Sequence, residues 1–495
     1  MNINSKDNKK CIFLYIHSGF SLRYLVRSDV CKTLLKSNYH IVLVVHNADE
    51  PGFREKYESS NISVEQFNKY DSENFLKKHK LQRILIQIRS FVLNGFHGKS
   101  FTTTIDDFKE YFLYEKKWVK GNSVKLYLYG NFFSFIIEVL KKSKLLRNLL
   151  IRFETFFYSP DLNSSLFKKY SPDLLVVTAL AGFKYNEIFA REAIKNNIPV
   201  CCVILSWDNT SGHGMPGYKP NHVISWTDSM KEELVELNDI GKDRITVGGV
   251  AHWDPYYQDN FQYSKEQTYK HFDLDSAKKT LLYITKSPKR FPWGPSLVRD
   301  IADAIENKTI ISPTQLLVRI HPLHYRRENN KFIFQKIIDE YHEVTKKYPF
   351  VKLNCPEFES QEVNFDLKDN ETKLLSSLLT HSSLMLNMFS TMAIEAAIHD
   401  LPVINMSIQE VCKGDFQNSR QDIMTDYNQY HNKRAYETGG VDTVFTLKEL
   451  YKKINTFLDN PSLGREERKV LKTNEAGPFE GNAGEMIAKQ ISMLI

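Results

Sequence analysis

The sequence predicts an α/β protein built on two doubly wound parallel sheets, and three observations carry that prediction. Short, almost wholly apolar runs recur with helix-patterned segments between them, the signature of strands buried on both faces. The runs fall into two series along the 495 residues. Between them, at residues 206–220, lies SWDNTSGHGMPGYKP, whose Gly, Pro and small polar residues suit a hinge that also walls a cleft.

In the first series, CIFLYI at residues 11–16 reads as a strand, followed by the loop HSGFSLRY and a helix at about residues 25–35. Strands are expected at residues 40–45 and 62–66. A basic helical insertion at about residues 73–158 then interrupts the alternation. Strand character returns at residues 174–178 and 200–205, with a helix at about 185–196 between them. The second series is expected to open with a strand at residues 222–226 and a helix at 228–237. It continues through strands at 245–247, 280–284, 315–320 and 351–353 to a strand–turn–helix–strand unit at 384–406. The domains that follow are residues 1–215, holding the insertion, and residues 216–495.

Composition narrows the class. Hydrophobic residues at 42% and charged residues at 25% are ordinary for a soluble globular chain. No apolar run approaches the roughly 18 to 20 residues of a membrane span, and MNINSKDNKK is too polar for a signal peptide, so a cytoplasmic location is expected. Cys11, Cys31, Cys201, Cys202, Cys355 and Cys412 lack CxxC spacing, which argues against a zinc site and a disulfide framework. The adjacent Cys201 and Cys202 read as core.

The net charge of +7 is unevenly spread: between Glu73 and Glu154 stand 16 Lys or Arg against 7 Asp or Glu. These basic residues alternate with Ile, Leu and Phe at helical intervals. Such helices could lie on the anionic inner face of the cell membrane as peripheral contacts. Internal packing with Lys and Arg left in water is the commoner arrangement and the one expected here. No nucleic-acid binding module accompanies the charge, so no nucleic-acid partner is expected.

The most informative stretch is LMLNMFSTMAIEAAIHDLPVI, residues 384–404. Leu384, Met385 and Leu386 end a strand, Asn387 to Thr391 form a polar turn, and a helix opens at Met392. Unpaired N–H groups at such a helix start favour an anion, and Ser390 or Thr391 can cap the helix or give a hydroxyl to a phosphate oxygen. Many such caps bind nothing. The upstream strand LLVRIHP, residues 316–322, therefore matters, because it delivers Arg319 and His321 to a strand end. Ligands of open parallel sheets collect outside the carboxyl ends of the strands, where both features would lie. Thr285, Lys286 and Ser287 follow another strand and are a further candidate phosphate or base contact, with Lys286 and Arg290 to balance diphosphate charge; a solvated loop is the competing reading. Asp273-Leu274-Asp275 matches a metal-binding DxD pattern but reads as a linker turn in which Asp275 or Ser276 caps a helix.

These motifs resemble a family. SWDNTSGHGMPGYKPNHVISWTDSMKEELVELNDIGKDRITVGGVAHWDPY, LLVRIHP and LNMFSTMAIEAAIHDLPVI together look like bacterial GT-B glycosyltransferase-like proteins related to the CDP-glycerol glycerophosphotransferases, the polysialyltransferases and the capsule Kdo transferases. The likeness covers residues 206–406. It implies two Rossmann-like domains facing across a cleft, with His321, Ser390 and Thr391 on the donor's phosphates; Arg319 is a further donor-binding candidate, and Glu395 is a candidate for a donor ribose or sugar hydroxyl or else a carboxylate favoured by the helix start. It also departs from those relatives. No D/E-D/E-G motif supplies a sialyltransferase acid, and RIHP stands where teichoic-acid enzymes carry RPHP.

A metal-independent glycosyltransferase is thus expected, moving a sugar from a nucleotide-sugar donor to a glycan or lipid-linked acceptor in bacterial surface polysaccharide synthesis, with no cofactor. The alternatives are a CDP-polyol phosphotransferase, a sugar-nucleotide epimerase, which shares the fold but needs no large basic acceptor-side insert, and a non-catalytic scaffold that kept the cleft. For an inverting transfer the base would be Asp208 in the SWDN loop, or His17 after the first strand, with His213 and His252 as further candidates. Each has a structural alternative, since Asp and Asn also begin turns by bonding their own backbone.

Overall fold

Apolar runs of the first half become strands with almost no face left in water. Cys11–Ile16 (β1) is buried along its whole length and His40–Val45 (β2) from its second residue on, as strands covered on both faces must be. A computed structural model describes residues 9–93, 123–328, 331–360, 366–412 and 423–495. With Ile62–Gln66 (β3), Leu174–Val177 (β4), Val200–Val203 (β5), His222–Ser225 (β6) and Ile245–Val247 (β7), these strands form one seven-stranded sheet in the order β3-β2-β1-β4-β5-β6-β7. Each neighbouring pair is parallel.

The second sheet has six parallel strands in the order β12-β9-β8-β15-β16-β17. These are Lys279–Ile284 (β8), Thr314–Arg319 (β9), Val351–Asn354 (β12), Leu384–Asn387 (β15), Val403–Met406 (β16) and Asp442–Val444 (β17). Two antiparallel ribbons pair Arg327–Glu328 (β10) with Lys331–Phe332 (β11), and Phe358–Ser360 (β13) with Asp366–Leu367 (β14). The chain divides into a first unit, residues up to Asp254 together with Gly477–Ile495, and a second unit that includes Pro255–Gln361 and Phe365–Ala476.

Three expectations need correcting. β6 and β7 belong to the first sheet, not the second, because residues 206–220 return the chain to the same sheet edge. Asn221 N–H bonds the Val200 carbonyl at 2.8 Å and Ile204 N–H the Ile224 carbonyl at 2.9 Å, which zips β5 to β6. The second series therefore begins at β8, and the Gly- and Pro-rich stretch is a packed loop within the first sheet. The expected single helix at residues 25–35 is two, Gly19–Leu25 and Asp29–Lys36, since Ser18 forms a capping box with Ser21 and Ser28 caps the second. The DLD turn caps no helix: Asp275 Oδ1 takes the Ala277 N–H at 2.9 Å and the chain runs on into β8.

Between β3 and β4 the described residues carry helices at Lys69–Lys78, Lys80–Val92, Ser123–Lys142, Lys144–Phe157 and Ser164–Tyr170; the centre of the expected insertion lies outside them. Ile88, Phe91 and Val92 join Ile137, Leu140 and Ile151 in a core of their own. Charge pins these helices down. Arg89 reaches Glu154 at 2.7 Å and Glu187 at 2.5 Å, and Arg191 reaches Glu154 at 3.1 Å, all four side chains being at most 2% exposed. Gln82 adds a 2.8 Å bond to Glu154. A Cβ on Gly217 would lie 2.3 Å from Glu187 Oε2, so the loop passing over the cluster needs glycine there.

The C-terminal helix Ala483–Ser492 belongs to the first unit and packs on Asp29–Lys36. Asp254 receives the N–H groups of Ala483 at 2.9 Å and Gly484 at 2.7 Å. This carboxylate satisfies two donors of the helix start.

Glu154→Ala leaves Arg191 without its carboxylate and Arg89 with one of two. It is expected to lower the stability of the first unit by about 3–5 kcal/mol, measured as an earlier urea midpoint. A midpoint equal to the parent's would show that the cluster does not support the fold.

Candidate functional site

Chain order places the functional residues. In the second sheet the chain starts at β8, adds β9 and β12 on one side, and then places β15, β16 and β17 on the other. The order therefore reverses between β8 and β15, and the carboxyl ends flanking such a switch point form the crevice of an open sheet. Lys286 and Ser287 leave β8, His321 follows β9, and Ser390 and Thr391 follow β15. Three neighbouring strands thus deliver them to one sheet edge.

Hydrogen bonds stitch these ends together. Thr285 Oγ1 accepts the His321 N–H at 2.8 Å, joining β8 to β9. Lys286 Nζ donates to the Met388 carbonyl at 3.3 Å, joining β8 to the turn after β15. Within the turn, Ser390 Oγ donates to Asn387 Oδ1 at 2.7 Å, and Asn387 Nδ2 to Asn405 Oδ1 on β16 at 2.9 Å. Phe389 sits at φ +54, in the left-handed region that costs a non-glycine residue about 1 kcal/mol or more. The turn is therefore held in a conformation its sequence would not choose alone.

His321 has a defined protonation state. Its Nδ1 accepts the Leu323 N–H at 3.1 Å, so a neutral ring carries its proton on Nε2 and presents it as a donor. Burial, then His324, Lys286 and Arg319, lower the imidazole to about 3. Lys286 is likewise pushed down by burial, against the pull of Asp426. Asp426 also lies 3.4 Å from Arg290. A carboxylate from far along the chain thus already answers both cations expected to balance phosphate charge.

Other expected residues are committed elsewhere. Arg319 is held by Asn354 and, at 2.8 Å, by Glu371, so it fastens β9 to β12 and to the helix Asn370–His381. Glu395, 6% exposed, receives the Tyr256 hydroxyl at 2.6 Å. Neither Ser390 nor Thr391 caps the helix Met392–Ile398 through its side chain. That helix has seven residues, too few for much dipole; the polar groups at the three strand ends matter more.

In the first unit the order reverses between β1 and β4. His17 after β1 and Thr178 after β4 meet there, Nδ1 to Oγ1, at 3.2 Å, and burial lowers His17 to about 4. Asp208, in the loop after β5, pairs with His213 at 3.4 Å. The rings of His17 and His213 lie 5.0 and 5.7 Å from that of Phe183, which gathers His17, Asp208 and His213 around one aromatic. A Cβ on Gly182 would come within 2.8 Å of His213 Nδ1. His252 is not part of this group: it is buried among Phe20, Tyr24 and Trp253. Among the described residues, no three His, Cys, Asp or Glu side chains are placed to hold a metal ion.

Sequence reading missed Asp426, Thr178 and His46. The last follows β2, bonds the Tyr15 hydroxyl at 2.6 Å and stacks on Phe67. The phrase HNAD after a buried strand could have flagged it.

The chain has the GT-B fold. Similar solved structures include the UDP-GlcNAc 2-epimerase from Methanocaldococcus jannaschii, 14% identical, covering 98% of this chain and 99% of that one at a TM-score of 0.50. The S. aureus protein MnaA, solved with UDP, is 11% identical and covers 98% of each chain, also at 0.50. No family model and no curated protein matches the sequence.

The depressed His321 value fixes a pH effect. The unfolded chain takes up this proton near pH 6.5 and the folded one near 3, so the contribution to stability is intact above about pH 6.5 and declines as the pH falls towards 3. NMR of the ring nitrogens is expected to show an Nε2–H tautomer with no titration between about pH 5 and 8. A midpoint inside that interval would contradict the burial argument.

Proposed function

We propose that the protein is a glycosyltransferase that moves a sugar from a nucleotide-sugar donor to a glycan or lipid-linked acceptor, acting in the cytoplasm in bacterial surface polysaccharide synthesis. The supporting observation is the convergence of His321, Lys286, Ser390 and Thr391 on three adjacent strand ends at a sheet switch point. Solved neighbours of the same fold, one of them holding UDP, agree with a nucleotide ligand. So does the resemblance to the CDP-glycerol glycerophosphotransferase, polysialyltransferase and Kdo transferase group.

In this reading the second sheet domain takes the donor. Ser390 and Thr391 give hydroxyls to the phosphates, His321 gives its Nε2–H, and Lys286 turns from Asp426 to the departing phosphate. Side-chain and backbone donors, rather than a metal ion, offset the charge that develops as the glycosidic bond breaks. Ser287 borders this group. Arg319 and Glu395 shape the site through Glu371 and Tyr256 rather than by touching the donor. The first domain takes the acceptor. Asp208, oriented by His213, removes the proton of the attacking hydroxyl in an inverting transfer, with His17 as the alternative base.

Titration with CMP-, CDP-, UDP-, GDP- and dTDP-activated sugars, followed by isotope-tracked turnover, tests this reading. Transfer of the sugar without its phosphate supports it. Phosphate retained in the product would instead make the protein a polyol phosphotransferase, and binding of none by the folded protein would make it a scaffold. Ser390→Ala/Thr391→Ala is expected to weaken donor binding about tenfold or more without unfolding the protein, whereas Asp208→Asn should lower turnover and leave donor affinity unchanged.

A further inference from the structure

The helix Lys144–Phe157 is amphipathic the wrong way round. Its inward face carries Ile151 between two charges: Arg147 holds Asp239 at 2.7 Å, and Glu154 holds Arg89 and Arg191. Its outward face carries Leu145, Leu146, Leu149, Phe153, Phe156 and Phe157, all exposed. At 100° per residue these six fall within an arc of about 120°, a single coherent face. Phe156 is 77% and Leu145 68% exposed. The preceding helix, Ser123–Lys142, adds Phe132 and Phe135 at 58% and 68%.

Fraying does not account for this orientation. The buried ion pairs on the opposite face fix the roll of the helix, so its Leu and Phe are held outward. The internal packing expected for the basic helices holds through Ile151, Arg147 and Glu154, yet it leaves this arc of Leu and Phe outside. Soluble surfaces rarely gather so many large apolar side chains unless something covers them.

Charge indicates what covers it. Arg152 lies at the edge of the apolar arc, Lys142 and Lys144 stand exposed where this helix begins, Lys144 3.9 Å from Asp239, and the one acid of this helix, Glu154, is buried. Residues 123–157 hold six Lys or Arg against two Glu. An apolar arc with a cationic border matches the boundary between acyl chains and anionic headgroups, where both signals add. A second copy of the chain would bring the same cations against these. No helix among the described residues is long and apolar enough to cross a membrane, so the contact is one of lying on the surface.

We propose that the outward face of the helix Lys144–Phe157, with Phe132 and Phe135, docks on an anionic lipid bilayer. Phe and Leu enter the acyl–headgroup boundary, and Lys142, Lys144 and Arg152 rest against the headgroups. This surface is separate from the donor reading and stands or falls without it.

Co-sedimentation of the full chain with vesicles of phosphatidylcholine alone, or with about 30% phosphatidylglycerol, tests the surface. Binding is expected to require the anionic lipid and to weaken with salt. Phe156→Ser/Phe157→Ser should lower bound protein about tenfold at an unchanged melting temperature, and Lys142→Glu/Lys144→Glu should remove the preference for anionic vesicles. No binding by the parent, or equal binding by the serine variant, would overturn the proposal. So would a parent that ignores vesicles and is a dimer by light scattering while the serine variant is a monomer.

Discussion

Four buried charges organise the first unit. Arg89, Glu154, Arg191 and Glu187 sum to zero, and each finds a partner of opposite sign out of water, which is the condition for tolerating ions in a core. They come from three helices, two of which also share an apolar core through Ile88, Phe91, Val92 and Ile151. Through Glu187 and Arg191 the cluster grips the helix Lys184–Lys195, whose first turn follows Phe183, the ring around which His17 and His213 gather. Gly217 completes the arrangement by letting the backbone pass where any side chain would strike Glu187. The same demand for inward charge leaves the apolar residues of Lys144–Phe157 outside. One electrostatic constraint thus sets both the aromatic floor of a candidate acceptor site and the greasy face on the protein surface.

Strands and their ends were legible in the sequence because parallel strands buried on both faces are written as contiguous apolar runs. Register and membership were less so. β6 and β7 read as the start of a new series because a Gly- and Pro-rich stretch precedes them, yet Cys201 pairs with His222 and Cys202 with Val223 in the first sheet. β17 escaped notice since DTV offers a single apolar residue and no apolar run. Polar residues at strand ends were also legible by position, as His17, Lys286, His321 and Ser390 show. Their partners were not. Whether Arg319 faces a ligand or Glu371, and whether Glu395 meets a sugar or Tyr256, is decided by residues 52 and 139 positions away, which local pattern does not reach.

The second sheet's switch point is polar without being strongly cationic. His321 is neutral, and Lys286 is already answered by Asp426, so an incoming phosphate would compete with an internal carboxylate rather than fill a bare positive pocket. Such an arrangement keeps a buried lysine charged in the absence of ligand. The Asn387–Asn405–Ser390 network holds the strained Phe389 turn meanwhile, so the turn does not need the ligand to organise it.

The path of the chain has a consequence for biosynthesis. The first unit's last helix, Ala483–Ser492, is specified after the whole of the second unit, although it covers Asp29–Lys36 near the beginning. On a ribosome the β1–β7 sheet emerges first and waits, with Asp254 lacking the amides of Ala483 and Gly484, while more than two hundred further residues are made. The second unit is encoded continuously enough to fold during that interval. Completion of the older domain is therefore a late event, deferred until the residues that follow the second unit have been made.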